Sequence, residues 1–159
     1  MEYGEAYKSK RVSAFLHKLH VSNDYVISFR LRLTDTIDEK SDYFVLTRKR
    51  ESLSAYNYLK KTNKLEPLNL TNDLLELAWK TFLQNDLFTM RNEKDIPNFC
   101  LGKYAIYHSY TYEFVLLTKD KMKILSYYDP EYYDNACYGI PERQKVINSV
   151  SVVNHVLNR

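Results

Sequence analysis

The spacing of hydrophobic residues changes from a helical to a strand period within the first third of the chain. Apolar residues recur at i, i+3, i+4 and i+7, the spacing of a helix buried along one side, at Val12, Phe15, Leu16 and Leu19. From residue 25 to residue 34 every second residue is apolar, and residues 42–48 are again rich in strand formers. The polar loop 35–41 predicts that these two strands pair as an antiparallel hairpin.

The next segment is predicted to contain two helices. Residues 52–59 can form a short helix capped by a serine, and Pro67 then marks a break. The clearest helix of the chain spans 71–85, because Thr71 can cap its first turn and its apolar residues form one wide face.

A second hairpin and a closing helix are predicted in the last third of the chain. Residues 103–110 are predicted to form a strand, and 111–118 and 122–128 the two arms of a hairpin. Pro141 suits the first position of a final helix, where its missing N–H costs nothing. A strand remains the alternative for that last segment because it contains the β-branched residues Val146, Ile147, Val150 and Val153.

These elements predict one α+β domain over residues 1–159, with an antiparallel sheet built from two hairpins packed against two or three helices. A chain of 159 residues is long enough to bury one core but short for two domains. Its residues are 45% hydrophobic and 27% charged, which is typical of globular proteins and argues against disorder.

The net charge of +3 is unevenly distributed along the chain. Residues 1–64 hold 13 Lys and Arg against 8 Asp and Glu, whereas residues 65–159 hold 10 against 12. A nucleic-acid-binding protein usually concentrates a stronger basic excess in one place, so the charge argues against nucleic acid as the main partner.

Tyrosines and carboxylates are concentrated near residue 130. Nine of the 15 tyrosines fall between Tyr104 and Tyr138, and no Lys or Arg occurs between Ile124 and Glu142. Tyrosine offers a large, rigid contact surface that loses little entropy when it is fixed. The residues predicted to bind a protein partner are therefore Tyr127, Tyr128, Asp129, Glu131, Tyr132, Tyr133, Asp134 and Tyr138. The alternative is that tyrosine serves here as a strand former, or that a biased codon pool raises its frequency.

Four arginines of the first hairpin form a second candidate surface. Arg30 and Arg32 lie on its first arm and Arg48 and Arg50 at its second, so an even pairing register places all four on one face. Such a face could meet nucleic acid with the help of nearby aromatic rings. The simpler interpretation is a solvated sheet face, followed by a site for an acidic protein.

Few residues are candidates for catalysis or metal binding. His17, His20 and Asp24 share a face if the first helix extends that far, and two imidazoles with a carboxylate can bind a metal, but the intervening polar residues indicate that the helix ends first. His108 and Glu113 could form the acid–base pair of a metal-independent ribonuclease. On one unbroken strand, however, these two residues point to opposite faces.

No cofactor or metal site is expected. Asp129, Glu131 and Asp134 are the kind of ligand that Ca²⁺ or Mg²⁺ prefers, but no turn glycine accompanies them. The three glycines, at positions 4, 102 and 139, are too scattered for a phosphate-binding loop, and no serine nucleophile motif is present.

The compartment stays open at this stage. Cys100 and Cys137 can form one disulfide in an oxidising compartment and would remain thiols in the cytoplasm. No stretch approaches the roughly 18 apolar residues that a membrane span needs, and the start lacks the apolar core of a signal peptide. We expect no membrane span, with a cytoplasmic protein as the sequence stands and a periplasmic one if an export signal has been removed.

The order of elements in the second half resembles that of small bacterial α+β proteins of the immunity type. The resemblance covers about half of the chain and is carried by the segments Leu75–Phe82, Asn85–Phe88, Tyr112–Leu117 and Lys123–Tyr128 and by the closing helix. Some of these proteins neutralise a secreted toxin, and others are lipoproteins of unknown role. The resemblance implies no catalytic residue, because immunity proteins act by occlusion.

The sequence therefore favours a non-catalytic protein-binding domain, in its most concrete form an immunity protein that binds and occludes a cognate bacterial toxin. One alternative is a small nuclease or nucleic-acid-binding protein that uses the basic hairpin and His108. Another is a structural subunit whose tyrosines pack in a homo-oligomer interface. The identity of the partner and the oligomeric state stay open.

Overall fold

A computed structural model describes residues 13–33, 41–97 and 106–158 of the chain. Within these ranges six strands form one sheet, accompanied by four α-helices and the short 3-10 helix Glu93–Asp95. The strands are β1 Tyr25–Leu33, β2 Tyr43–Lys49, β3 Ser52–Leu59, β4 Lys64–Leu68, β5 Tyr110–Leu117 and β6 Met122–Tyr128. The helices are α1 Ala14–Ser22, α2 Asn72–Gln84, α3 Pro130–Ala136 and α4 Pro141–Val156.

The sheet has the strand order β4-β3-β2-β1-β5-β6, and all neighbouring strands are antiparallel. Strands β1 to β4 form a meander, and the β5–β6 hairpin adds to the free side of β1. The α+β class, both predicted hairpins and the helix after Thr71 are confirmed. The Thr71 side chain accepts a hydrogen bond from the Leu74 N–H, which is the cap that the sequence predicted.

The segment between β2 and α2 differs from its prediction. Residues 52–59 form β3 and not a helix, because residues 52–58 pair with residues 43–49 of β2 around the two-residue turn Arg50–Glu51. Arg50, with φ 55°, supplies the left-handed backbone that such a turn needs. Pro67 lies inside β4, an edge strand, where its missing N–H is tolerated. Ala55 packs into a hydrophobic core on one face of the sheet and Tyr58 into a second core on the other face. Apolar and polar residues therefore do not simply alternate along β3.

The predicted strand at 103–110 is also wrong for the part that the structure describes. Residues 106–109 are irregular and β5 begins at Tyr110, while 103–105 lie outside the described residues. Helix α3 was not predicted at all. The final helix is confirmed with Pro141 in its first turn, and the alternative of a strand is wrong.

Hydrophobic cores lie on both faces of the sheet. The larger core holds α2 and α4 against the sheet and includes Phe82 and Val150 from the helices with Ile27 and Phe114 from the strands. The smaller core lies on the other face, where α1 inserts the fully buried Leu16. Because α3 joins the end of β6 to α4, the tyrosine and carboxylate segment lies at one end of the larger core.

Candidate functional site at helix α3

Helix α3 begins at an aspartate whose two carboxylate oxygens both accept hydrogen bonds within the protein. Asp129 has a left-handed backbone, φ 35° and ψ 60°, and its Oδ1 accepts the Tyr132 N–H at 3.2 Å. Pro130 follows at the first helical position, and the Ser109 hydroxyl donates to Oδ2 of Asp129. Both carboxylate oxygens of Asp129 therefore serve the turn, which argues against a direct role in binding a partner.

Two of the tyrosines predicted to bind a partner lie in the core. Tyr127 and Tyr133 are completely buried. The Tyr127 hydroxyl donates to the Arg91 carbonyl at 2.5 Å, and the Tyr133 hydroxyl accepts the Ile106 N–H at 3.2 Å. Burial raises the pKa of Tyr127. The prediction that these two rings face a partner is therefore wrong, because β6 and α3 both direct them inward.

Tyr128 holds the loop before β5. Its hydroxyl donates to the Ile106 carbonyl and accepts the Ser109 N–H, both at 3.2 Å, so both ends of 106–109 are tied to it. The side chain is half-buried and packs near Tyr133, with 6.2 Å between ring centroids. The main role of the Tyr128 side chain in the structure is therefore to hold this loop in place.

Glu131 is held between two tyrosine hydroxyls. Tyr112 donates to its Oε1 at 2.7 Å and Tyr110 to its Oε2 at 2.6 Å, and the two rings lie 5.1 Å apart. Burial, followed by the hydrogen bond to Glu131, raises the pKa of both hydroxyls. Among residues 13–33, 41–97 and 106–158, no ion pair involves Glu131.

Three tyrosines around α3 are exposed. Tyr132 is 37% exposed and packs edge-on against Tyr133, Tyr138 is 90% exposed, and Tyr107 is 78% exposed. Tyr107 was not among the predicted binding residues, although it belongs to the same tyrosine-rich region of the sequence. Asp134 is half-exposed on α3. The accessible part of the predicted surface therefore consists of Tyr132, Tyr138, Glu131 and Asp134, to which the structure adds Tyr107.

A cleft opens next to Glu131, between α4 and the sheet. One cavity of about 430 Å³ is lined by Tyr112, Glu131, Ile147, Val150, Ser151, Asn154 and His155. An adjoining cavity of about 270 Å³ shares Tyr112, Val150 and Asn154 with the first. Glu131 thus borders an open space and not only the tyrosines that hold it.

Buried charges fix α3 to the rest of the fold. Arg143 on α4 is fully buried, and its Nη1 donates to the carbonyls of Tyr133 at 3.1 Å and Cys137 at 3.3 Å. Its Nε lies 3.5 Å from Oε2 of Glu93, whose Oε1 accepts the Tyr128 N–H at 3.0 Å. Burial raises the pKa of Glu93, although the nearby guanidinium and the hydrogen bonds act in the opposite direction.

A second pair anchors the first turn of α4. Arg91 donates from Nε and Nη2 to Oε1 of Glu142, at 2.9 and 2.7 Å. Burial alone would raise the pKa of Glu142, but the hydrogen bonds and the positive charge of Arg91 outweigh it and hold that pKa below its ordinary value. Cys137, just after α3, is disulfide-bonded, and the other cysteine of the chain, Cys100, lies outside the described residues.

The four arginines of the first hairpin do not share a face, so the predicted basic face is wrong. The register pairs Arg48 with Tyr25, which places Arg48 on the face of the larger core and Arg30 and Arg32 on the other. The Arg48 guanidinium lies 4.8 Å above the Trp79 ring. Arg50 occupies the turn.

Arg30 is not available to a polyanion. It is only 5% exposed, its Nε lies 2.6 Å from Oε1 of Glu113, and its guanidinium covers the Tyr43 ring at 5.0 Å. Arg32 reaches the second oxygen of Glu113 at 3.2 Å. Glu113 thus pairs with two of the four arginines of the predicted basic face.

The histidine hypotheses find no support in the geometry. Helix α1 ends at Ser22, and Asp24 instead accepts the Arg50 N–H at 2.6 Å, while His20 Nε2 lies 2.6 Å from the Thr118 carbonyl. His108 precedes β5 with φ 62°, whereas Glu113 binds the arginines. In the described part of the chain no group of three or more His, Cys, Asp or Glu side chains is arranged to hold a metal ion.

Comparison of the chain with protein-family models, curated protein sequences and solved structures finds no match. Across the described ranges, no helix has both the length and the apolar character needed to cross a membrane.

Proposed function

We propose that this chain is a non-catalytic protein-binding domain whose contact surface is the exposed side of α3 and the loops beside it. The observation that carries the proposal is the exposure of Tyr132 on α3, of Tyr138 just after it and of Tyr107 in the loop that Tyr128 and Tyr133 hold beside it. Exposed tyrosines grouped near a fixed charge are typical of binding surfaces, because they supply contact area and orientation together.

Rigidity supports the same proposal. Tyr127, Tyr133 and Arg143 are fully buried; Tyr127 binds β6 to the Arg91 carbonyl, and Arg143 joins α4 to the Tyr133 carbonyl of α3. A surface that is already fixed loses little conformational entropy when a partner binds, so more of the contact energy appears as affinity. The buried tyrosines therefore contribute to binding through the backbone that they hold.

Charge narrows the choice of partner. Glu131 and Asp134 are accessible, no Lys or Arg occurs between Ile124 and Glu142, and Arg143 is buried. An anionic surface attracts and orients a cationic one. In its most concrete form, the proposal is an immunity protein that occludes the cationic catalytic or substrate-binding groups of a cognate bacterial toxin.

We also propose that the protein acts in an oxidising compartment, such as the periplasm. The support is the disulfide bond of Cys137, since structural disulfides persist outside the reducing cytoplasm. Alkylation of free thiols in freshly lysed cells tests this proposal. We expect no modified cysteine before reduction and two after it, whereas two free thiols before reduction would contradict the proposal.

The function is tested by co-expressing the chain with the product of each neighbouring gene in a bacterial host. We expect one of those products to inhibit growth, this chain to restore it, and the two purified proteins to form a complex. A double variant, Tyr132→Ala with Tyr138→Ala, should lose the rescue while it keeps its fold. Rescue by the double variant at equal protein level would contradict the proposed surface, and failure of every neighbouring product to bind would contradict the immunity function.

A further inference from the structure

We infer that the cavity beside Glu131 receives an arginine side chain of the protein partner. The inference rests on the proposed function and specifies the chemical group that the anionic surface recognises. Glu131 and Tyr112 line the cavity of about 430 Å³ together with five residues of α4. This volume falls within the roughly 300 to 1,000 Å³ of ligand-binding clefts, so a long side chain and its flanking backbone can enter.

The carboxylate of Glu131 is prepared for a cation. Tyr110 and Tyr112 each donate one hydrogen bond to it, at 2.6 and 2.7 Å, which fixes its position and leaves one lone pair on each oxygen. In the described residues no cationic side chain forms an ion pair with it. Hydroxyl groups hold the charge in place without neutralising it, so an incoming cation meets the full negative charge.

The remaining walls fit the two parts of an arginine side chain. Ile147 and Val150 offer an apolar surface for the three methylene groups, while Ser151 and Asn154 carry oxygens that accept hydrogen bonds. A guanidinium has five N–H donors in one plane, so it can reach the carboxylate and a wall oxygen together. A lysine ammonium is compact and more strongly hydrated, which makes it the poorer fit to a site with acceptors on separate walls.

The neighbouring acidic residues do not form this site. Both oxygens of Asp129 are used within the turn before α3, and Asp134 is not among the residues that line the cavity. His155 is the one histidine among the residues that line the cavity.

The direct test is an NMR titration of the full isotope-labelled chain with N-acetyl-arginine amide. Its matched probe is N-acetyl-citrulline amide, which has nearly the same shape but no charge. We expect the arginine compound to bind in the millimolar range and to shift the amide signals of Val150 and Asn154, while the citrulline compound binds at least about tenfold more weakly. Equal binding of the two compounds, or shifts centred elsewhere, would overturn the inference.

Two variants locate the binding. Glu131→Gln keeps the shape and removes the charge, and its amide can accept from one tyrosine hydroxyl and donate to the other. It should weaken the arginine compound at least about tenfold, whereas Glu76→Gln, at an exposed carboxylate on α2, should leave it unchanged. Ser151→Arg, at an exposed position on α4, should fill the cavity from within and block the compound. Unchanged binding of the arginine compound to either Glu131→Gln or Ser151→Arg would overturn the inference.

Titration of the partner separates this inference from the proposed function. If Tyr132→Ala and Tyr138→Ala weaken the partner but the arginine compound does not bind at Glu131, the arginine site is wrong and the binding surface stands. If the compound binds at Glu131 but neither tyrosine variant affects any partner, the site for arginine stands and the proposed surface fails.

Discussion

The guanidinium of Arg143 and the carboxylate of Glu93 form an ion pair with almost no access to solvent, 3.5 Å apart with side chains 0% and 6% exposed. Glu93 also binds the N–H of Tyr128 at the end of β6, and Arg143 binds the carbonyls around the end of α3. This pair joins the sheet edge to both C-terminal helices, and the candidate surface depends on it.

Removing one partner of the pair should destabilise the fold strongly. We expect Arg143→Met to lower the free energy of unfolding by about 3 to 5 kcal/mol, because Glu93 then keeps a buried charge without compensation. The control is Lys64→Met, which removes a pair with Glu66 whose side chains are 66% and 41% exposed and should cost about 1 kcal/mol or less. Urea denaturation followed by circular dichroism measures both, and equal losses in the two variants would contradict this account of the network.

Acid should weaken the fold partly through Glu142. Its pKa is held below the ordinary value of 4.5 by Arg91, so its contribution to stability is present above that pH and is lost as the pH falls through the lowered value. We therefore expect the unfolding free energy of Glu142→Gln to fall less steeply below about pH 4.5 than that of the unmodified protein. Parallel urea melts at several pH values check this prediction. A steeper fall in the variant would show that Glu142 is not the stabilising anion.

The first hairpin should not bind nucleic acid specifically. Because Arg30 is buried against Glu113 and Arg48 covers Trp79, we expect any oligonucleotide to bind no more tightly than the non-specific range of roughly 10⁻⁴ to 10⁻⁶ M at physiological salt. We also expect no ribonuclease turnover. Fluorescence anisotropy and a fluorogenic RNA substrate test the two statements. Turnover that His108→Ala abolishes would instead support the nuclease alternative.

The strands could be predicted where an apolar residue recurs at every second position. The alternation in β1 and the turn residues between β5 and β6 identified both hairpins. The strand β3 was not predicted because its residues pack into cores on both faces of the sheet, so apolar and polar residues do not alternate along it. Helix α3 was missed although Asp129 followed by Pro130 is a readable start signal, since the tyrosines after it also favour strands.

The candidate site was predicted as a region but not residue by residue. Tyr127 and Tyr128 are neighbours in sequence, yet one is buried in the core and the other holds a loop, and only the strand register decides between them. The strand register likewise places Arg48 and Arg30 on opposite faces of the sheet, and a shift of one residue would have placed them on the same face. The position of the Glu131 carboxylate depends on hydrogen bonds from Tyr110 and Tyr112, about 20 residues away along the chain. No local sequence pattern encodes these contacts.

The measurement that tests the central claim most directly is a calorimetric titration of the partner with Tyr138→Ala and Tyr132→Ala, together with thermal melts of the same variants and of Tyr133→Ala. We predict that truncating an exposed anchor tyrosine costs about 2 kcal/mol of binding free energy, roughly a 30-fold loss of affinity. The melting temperature should stay nearly unchanged in Tyr138→Ala and fall only slightly in Tyr132→Ala, whose ring packs against Tyr133. The buried Tyr133→Ala should instead lower the unfolding free energy by about 3 to 5 kcal/mol. Undiminished affinity in both surface variants would contradict the claim that these tyrosines form a protein-binding surface.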